Sequence, residues 1–331
     1  MGSFVLAKKG RHRTYTEMFY ERSHRNRKVG CVQEVHVVKD WKELLGKPVA
    51  DWVREKNGII NLNRSLAVYL RDPQNGYDPI YEMDVPFFGN PYLMEVEERA
   101  EPYKIEKNQD FLMEKAKLPT PLAFNSPEEI DRPVLIKASQ FLKERAFARD
   151  FVVVNSTKEY YEKLKMVIGN ASSDDKNFVE TAFKSAPIQE YIPGDLLINL
   201  NYFYSPTWED LEFLGADTRR QFGNGEEATH IPISLRESLL EQVVNMGWNL
   251  VKTIEEHYPQ GMIGPFAIQC MGDAKETLRP IDLSLRMPGS PDAGATPYPF
   301  YLYGERIDFG RRCAMEIKDA TYKETLDLIL C

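Results

Sequence analysis

Arg236–Glu256 carries the strongest periodic signal in the chain: Leu240, Val243, Val244, Trp248, Val251 and Ile254 recur at helical spacing and form one apolar stripe. Shorter stretches read as strands. Val32–Val38 and Leu196–Tyr204 alternate, while Gly58–Leu62, Val134–Lys137, Phe151–Val154 and Ile188–Tyr191 are brief apolar runs. Trp41–Leu45, Val49–Lys56 and Asn108–Lys117 read as helices, the last stopping before Leu118-Pro119. Two Ser-x-x-Glu boxes mark further helix starts, at Ser126-Pro127-Glu128-Glu129 and Ser156-Thr157-Lys158-Glu159. Beyond the long helix the pattern gives strand, turn, strand and a closing helix to Cys331. Proline and glycine punctuate residues 73–91, which sets a boundary there between an N-terminal unit and the rest. Strands and helices then mix without regular βαβ alternation, so the expected class is α+β, built on an antiparallel sheet.

Composition narrows this picture. At 331 residues and roughly 150 residues per domain, two domains or subdomains are expected. With 43% hydrophobic and 28% charged residues the chain is ordinary globular material. No apolar run is long enough for a transmembrane helix, and the start, with Phe4–Ala7 as its only apolar stretch, lacks the form of a signal peptide. Cys31, Cys270, Cys313 and Cys331 are too few and scattered for a disulfide framework, and no C-x-x-C pair exists. The cytoplasm is the expected compartment. The net charge of −8 is uneven: residues 8–28 hold eight Lys/Arg against Glu17 and Glu21, or +6, which leaves −14 elsewhere. A basic segment near a chain end reads first as solvated charge, and the acidic body argues against a nucleic-acid partner.

The most informative chemistry lies in Gly264–Met271, a turn over 272–276, and Thr277–Arg286. This reads as a hairpin whose second strand turns Ile281, Leu283 and Leu285 one way and Asp282, Ser284 and Arg286 the other. With the turn centred near Lys275 and Glu276, Gln269 falls across from Asp282. An amide oxygen and a carboxylate suit Mg²⁺, which takes one or two protein ligands, and Arg286 suits an anion. A plain solvent-facing sheet surface accounts for the same pattern equally well. Lys137 ends a strand where it could meet a nucleotide phosphate, and Glu190 and Tyr191 precede Pro193-Gly194, where they could serve adenine or ribose. Arg219 and Arg220 follow an apolar run and offer charge for a phosphate or a surface ion pair. The chain has no G-x-x-x-x-G-K-[ST], G-x-G-x-x-G or G-x-S-x-G word, and its five histidines show no metal spacing.

Ordered words run over roughly residues 57–331: Phe88-Gly89-Asn90, Ser126–Lys137, Gln189-Glu190-Tyr191, Tyr202–Pro206, Leu214–Asp217, Arg236–Leu240, Gly261–Phe266, Asp282–Arg286, Pro297-Tyr298, Gly304-Glu305, Gly310–Arg312 and Glu316–Lys318. Together they resemble the PurP family of the ATP-grasp superfamily, the archaeal formate-dependent ligases of purine biosynthesis. The resemblance implies an ATP-grasp fold in three parts: a truncated preATP-grasp-like α/β lobe over 1–100, without the family's first strand and helix, a lid lobe over 101–192, and a large lobe over 193–331 with the metal site. It implies joining of formate to AICAR (5-aminoimidazole-4-carboxamide ribonucleotide) at the expense of ATP, by way of formyl phosphate. Transferred by family pattern, Gln269 and Asp282 hold Mg²⁺ or Mn²⁺, and Lys137, Glu190, Tyr191 and Gln221 line the ATP cleft. Ser65, His230 and Arg219 meet the nucleotide substrate, and Arg286 acts in catalysis. A homo-oligomer is implied as well.

Besides that missing first unit, the chain departs from the family pattern in two further places. Where the family has a G-x-x-G-G-R-G loop over ATP, Ala138–Asp150 contains no glycine, although Lys143, Arg145 and Arg149 supply positive charge. Between Gln221 and His230 a loop of roughly twenty residues is missing, and these two residues replace a family Glu and Asn. Two readings follow: a working ligase, or a diverged paralogue that serves as a binding or assembly partner.

Overall fold

A computed structural model describes residues 2–7, 32–38, 59–61, 86–94, 96–97, 105–137, 151–193, 196–221, 228–272, 277–288 and 295–331. The helices expected at Trp41–Leu45 and Val49–Lys56, the basic segment 8–28, Ser65 and the glycine-free stretch 138–150 lie outside the described residues.

The strands are β1 (Gly2–Ala7), β2 (Val32–Val38), β3 (Ile59–Asn61), β4 (Phe87–Phe88), β5 (Ala123–Phe124), β6 (Val134–Lys137), β7 (Phe151–Val154), β8 (Ile188–Glu190), β9 (Leu196–Ser205), β10 (Asp210–Gln221), β11 (Ala228–Ile233), β12 (Gly264–Gly272) and β13 (Leu278–Ser284). The helices are α1 (Gln109–Lys115), α2 (Thr157–Asn170), α3 (Lys176–Lys184), α4 (Glu237–His257), α5 (Tyr298–Tyr303) and α6 (Phe309–Lys323). Among the described residues the strands form three sheets, ordered β2-β1-β3-β4, β5-β8-β6-β7 and β11-β10-β9-β12-β13. The first is parallel and the second antiparallel. β11, β10 and β9 are likewise antiparallel. The class is therefore mixed in the expected way.

Two compact units contain these elements. One comprises Met1–Met94, Ile198–Gln269 and Leu283–Cys331, the other Glu95–Leu197 and Cys270–Asp282. In the second unit α2 and α3 bury Tyr160, Leu164, Val167, Val179, Ala182 and Phe183 against Val134, Ile136, Val154 and Ile188. Ser156 caps α2, accepting from Glu159 N at 3.3 Å, and Glu159 answers by accepting from Asn155 N at 2.9 Å. The other Ser-x-x-Glu word fails as a helix start. Pro127–Glu129 makes one 3-10 turn, the Ser126 hydroxyl accepts no cap hydrogen bond from it, and Pro133 with β6 follows too soon for a helix to grow.

In the first unit the large sheet has a helix on each face. On one side α4 buries Val243, Met246, Gly247, Leu250, Val251 and Ile254. This seam is rotated from the expected stripe: Val244 is exposed, and Leu240 and Trp248 are only half-buried. The cause is Gly247, which lets the helix axis approach the sheet; a Cβ there would lie 2.8 Å from both Leu211 and Tyr202 side chains. On the other side α6 packs Phe309, Cys313, Ala314, Ile317 and Ala320 with Phe203, Leu214, Ile263 and Met287. The chain does not close in a helix. After α6, a 3-10 turn at Leu326–Leu328 leads to a β-bridge between Leu330 and Phe88, where Phe87 and Cys331 exchange backbone bonds of 2.9 and 3.0 Å.

Candidate active site

β9 alternates strictly, so Asn199, Asn201, Phe203 and Ser205 share the face turned toward α6, while Ile198, Leu200, Tyr202 and Tyr204 face α4. β10 pairs with it through Glu212↔Phe203 and Phe213↔Tyr202, then skips Leu214 and resumes at Gly215↔Asn201, Ala216↔Leu200 and Asp217↔Asn199. That one-residue bulge changes what stands opposite Asn199: unbulged pairing would put Ala216 there, and the skip substitutes Asp217. Gly215 is required at the bulge. Its φ is +135°, and a Cβ would fall 2.2 Å from Thr296 Oγ1, which itself donates to Leu214 O at 2.8 Å.

The result is a polar stripe beyond the end of the α6 core. Asn199 Nδ2 donates to Asp217 Oδ1 and Asn201 Nδ2 to Asp217 Oδ2, both at 2.8 Å. His230 Nδ1 lies 2.6 Å from Asp217 Oδ1. Gln269 Nε2 donates to Asn199 Oδ1 at 2.8 Å. Asn199, Asn201 and Asp217 are buried, and Asn201 Oδ1 has no hydrogen-bond partner among the described residues. Across β10 and β11, Arg219 is directly opposite His230, so two of the expected substrate residues fall at one register position. Asn199, Asn201 and Asp217 escaped the sequence reading; the available signal was a pair of carboxamides at alternate positions among apolar β9 residues.

Gln269 shows the fit to a hard cation. Its NH₂ is committed to Asn199, and its Oε1 accepts no hydrogen bond among the described residues. The free amide oxygen of Gln269 is a donor of the kind Mg²⁺ takes; Asp282 lies in β13 and is half-buried. Among the described residues no three His, Cys, Asp or Glu gather as a closed cage. Gln269 is counted with the first unit and Asp282 with the second. Next to Gln269, burial pushes the Cys270 thiol far above its ordinary range, so it is no nucleophile.

Arg286 lines a partly open recess. Phe88, Ile263, Pro265, Leu285 and Met287 give it apolar walls, and Gly89 and Asn90 close one side. Asn90 spends its side-chain NH₂ on Pro259 O and Gly261 O, at 2.6 and 2.7 Å. Arg286 is buried, with Nη1 donating to Met287 O at 3.2 Å.

The expected ATP residues divide. Lys137 ends β6 opposite Phe151, and Gln221 ends β10 opposite Ala228. Glu190 closes β8, with Arg132 Nη1 at 3.8 Å from its Oε1 and Leu122 N donating to its Oε2 at 3.4 Å. Tyr191 follows, exposed, with its N–H donating to Pro133 O at 3.0 Å.

Comparison with known proteins adds identity to this geometry. Two family profiles match: a domain of unknown function, DUF1297, over residues 159–226 and 223–331, and a protein of unknown function, DUF1246, over residues 1–124. A Methanopyrus kandleri protein named 5-formaminoimidazole-4-carboxamide-1-(beta)-D-ribofuranosyl 5'-monophosphate synthetase is 30% identical over 320 residues, covering 91% of this chain and 83% of its own. A Cenarchaeum symbiosum protein of the same name is 31% identical over 323 residues, covering 91% and 88%. Among solved structures, the IMP biosynthesis protein PurP of Thermococcus kodakaraensis aligns with all of this chain and 92% of its own, at a TM-score of 0.62 and 22% identity. The biotin carboxylase of Campylobacter jejuni gives 0.62 at 12% identity, over 96% of this chain and 71% of its own. The fold is ATP-grasp.

Proposed function

The chain belongs to the PurP family, and from that premise we propose that it is an ATP-dependent carbon–nitrogen ligase of IMP biosynthesis that joins formate to the amine of AICAR. In this reading a formate oxygen attacks the γ-phosphorus of ATP and the bond to the bridging oxygen breaks, giving formyl phosphate and ADP. The AICAR amine then attacks the formyl carbon, the carbon–oxygen bond to phosphate breaks, and the nitrogen gives up one proton. Formyl-AICAR, ADP and phosphate result.

The observation that carries this reading is Arg286, a buried guanidinium lining a recess walled by Phe88, Ile263, Pro265, Leu285 and Met287, with Asn90 on one side. Such a recess favours a small acid held by its charge, and a bidentate guanidinium can follow the carboxylate as it becomes an acyl phosphate. Gln269 and Asp282 would hold Mg²⁺ or Mn²⁺, which when bound offsets charge on phosphoryl oxygens. Lys137, Glu190, Tyr191 and Gln221 are assigned to ATP. Ser65, Arg219 and His230 are assigned to the nucleotide substrate, whose binding at a fixed place beside the acid supplies the proximity that the second step needs. The lobes are taken as 1–100, 101–192 and 193–331.

Formate labelled with ¹⁸O tests the chemistry. Incubation with Mg-ATP and AICAR should yield phosphate carrying one ¹⁸O, read as an isotope shift in ³¹P NMR; unlabelled phosphate would sink the acyl-phosphate route. The glycine-free stretch Ala138–Asp150 favours a second reading, a paralogue that binds a partner instead. Calorimetric titration separates the two: no heat from Mg-ATP at millimolar concentration, with or without AICAR, selects the partner.

A further inference from the structure

We propose that Asp217 is a positioning residue that fixes which atom Gln269 presents to a divalent cation, acting through Asn199; this rests on Gln269 being a metal ligand as proposed above. A carboxamide has two ends of similar shape and opposite chemistry, an oxygen that accepts and an NH₂ that donates. For a chain of such groups, orientation is decided at whichever end offers only one role. Asp217, as a carboxylate, only accepts. It therefore draws the NH₂ of Asn199 at 2.8 Å, which turns Asn199 Oδ1 toward Gln269. That oxygen in turn draws the NH₂ of Gln269 at 2.8 Å. The remaining atom of Gln269 is Oε1, the end a hard cation requires.

The polarity thus runs in one direction across three adjacent strands, β10 to β9 to β12. The bulge at Leu214 sets it up, because only the skipped residue brings Asp217 opposite Asn199. Asn201 serves as an internal contrast. It donates to the other oxygen of Asp217, yet its own Oδ1 meets no partner among the described residues, so it lies off the path to Gln269.

Asp217→Asn keeps the shape and removes the fixed role: Asn199 and Gln269 can then both reverse, and Gln269 can turn its NH₂ toward the cation. Mn²⁺ titrated into the protein in the presence of ADP, followed by loss of the free-ion EPR signal, reads the consequence directly. Asp217→Asn should bind Mn²⁺ about 10–100-fold more weakly than wild type. In turnover the Mg²⁺ requirement should rise more than kcat at saturating Mg²⁺ falls. Asn201→Leu should keep wild-type Mn²⁺ affinity. Should Asp217→Asn not fold, Asn199→Leu breaks the same relay and should show the same loss. Wild-type Mn²⁺ affinity in either folded relay variant overturns the inference alone, as does an equal loss in Asn201→Leu, which would mean general loosening. Failure of the wild-type chain to take up Mn²⁺ with ADP overturns the metal assignment and this inference together.

Discussion

Two buried carboxylate clusters occupy the same face of the same sheet, on either side of the skipped residue Leu214. On one side Glu212, 8% exposed, and Glu316, 0% exposed, share Arg312. Arg312 Nε donates to Glu212 at 2.9 and 3.0 Å, and Nη1 to Glu316 at 3.0 Å. Ser205 and Thr207 complete Glu316, and Phe203 lies under the guanidinium at 4.1 Å. On the other side Asp217 is met by two carboxamides and an imidazole. The first cluster is charge closed on charge beneath α6, a lock between helix and sheet. The second passes its polarity outward to Gln269. Burial of a carboxylate is common to both; what separates a fastening from a site is whether the hydrogen bonds end within the cluster.

Breaking the lock should have the largest effect on stability. Arg312→Met leaves two carboxylates buried without their cation and should cost about 3–5 kcal/mol, measured by denaturant unfolding. Replacing Arg312, Glu212 and Glu316 together by apolar residues of similar volume should recover most of that loss. A small effect of Arg312→Met would erase the distinction between the clusters. Next in size is Gly215→Ala, which puts a side chain at φ +135° and against Thr296. It should cost about 2–4 kcal/mol from strain and overpacking, and by disturbing the register it should lower Mn²⁺ affinity, which Arg312→Met need not do while folded. Asn201→Leu is smaller. Asp217 loses one donor, but a buried oxygen without a partner is removed as well, so the net cost should be about 1 kcal/mol.

Much of the frame was legible in the sequence. The strand boundaries at Val134–Lys137 and Phe151–Val154 coincide with β6 and β7, and β9 extends only one residue beyond the expected Tyr204, because apolar alternation is a direct record of burial on a sheet. The failures have particular causes. Gly247 sits at the closest contact of α4, where hydropathy gives it no weight. Ser126 has the letters of a helix cap and β6 too near to allow a helix. A strand at Gly2–Ala7 rests on pairing with β2 and β3, distant partners that a local pattern does not report. Asp217 is legible only with the bulge, since even alternation from Glu212 would set Leu214 and Ala216, and not Asp217, on the face of Asn199.

A last effect, of the same small order as that at Asn201, lies on the opposite face and calibrates the others. Tyr204 Oη donates to Glu255 Oε1 at 2.7 Å, a neutral donor on a charged acceptor, tying β9 to α4. Tyr204→Phe should cost about 1–2 kcal/mol near neutral pH, below the loss expected for Arg312→Met. Burial, and then the bond to Glu255, push the Tyr204 phenol well above its ordinary value. A raised folded value means the protonated phenol is favoured in the native state. Its contribution is whole below the unfolded value of about 10 and is lost as pH rises through the folded one. The gap in unfolding free energy between wild type and Tyr204→Phe should therefore hold from pH 7 to 9 and shrink above about pH 10. Tyrosinate absorbance at 295 nm should show one phenol fewer titrating late in the variant. A gap that grew with alkali would mean that Tyr204 is bound as phenolate. The α4 face would then be held by charge as the α6 face is, and the contrast between fastening and site would have to be drawn without it.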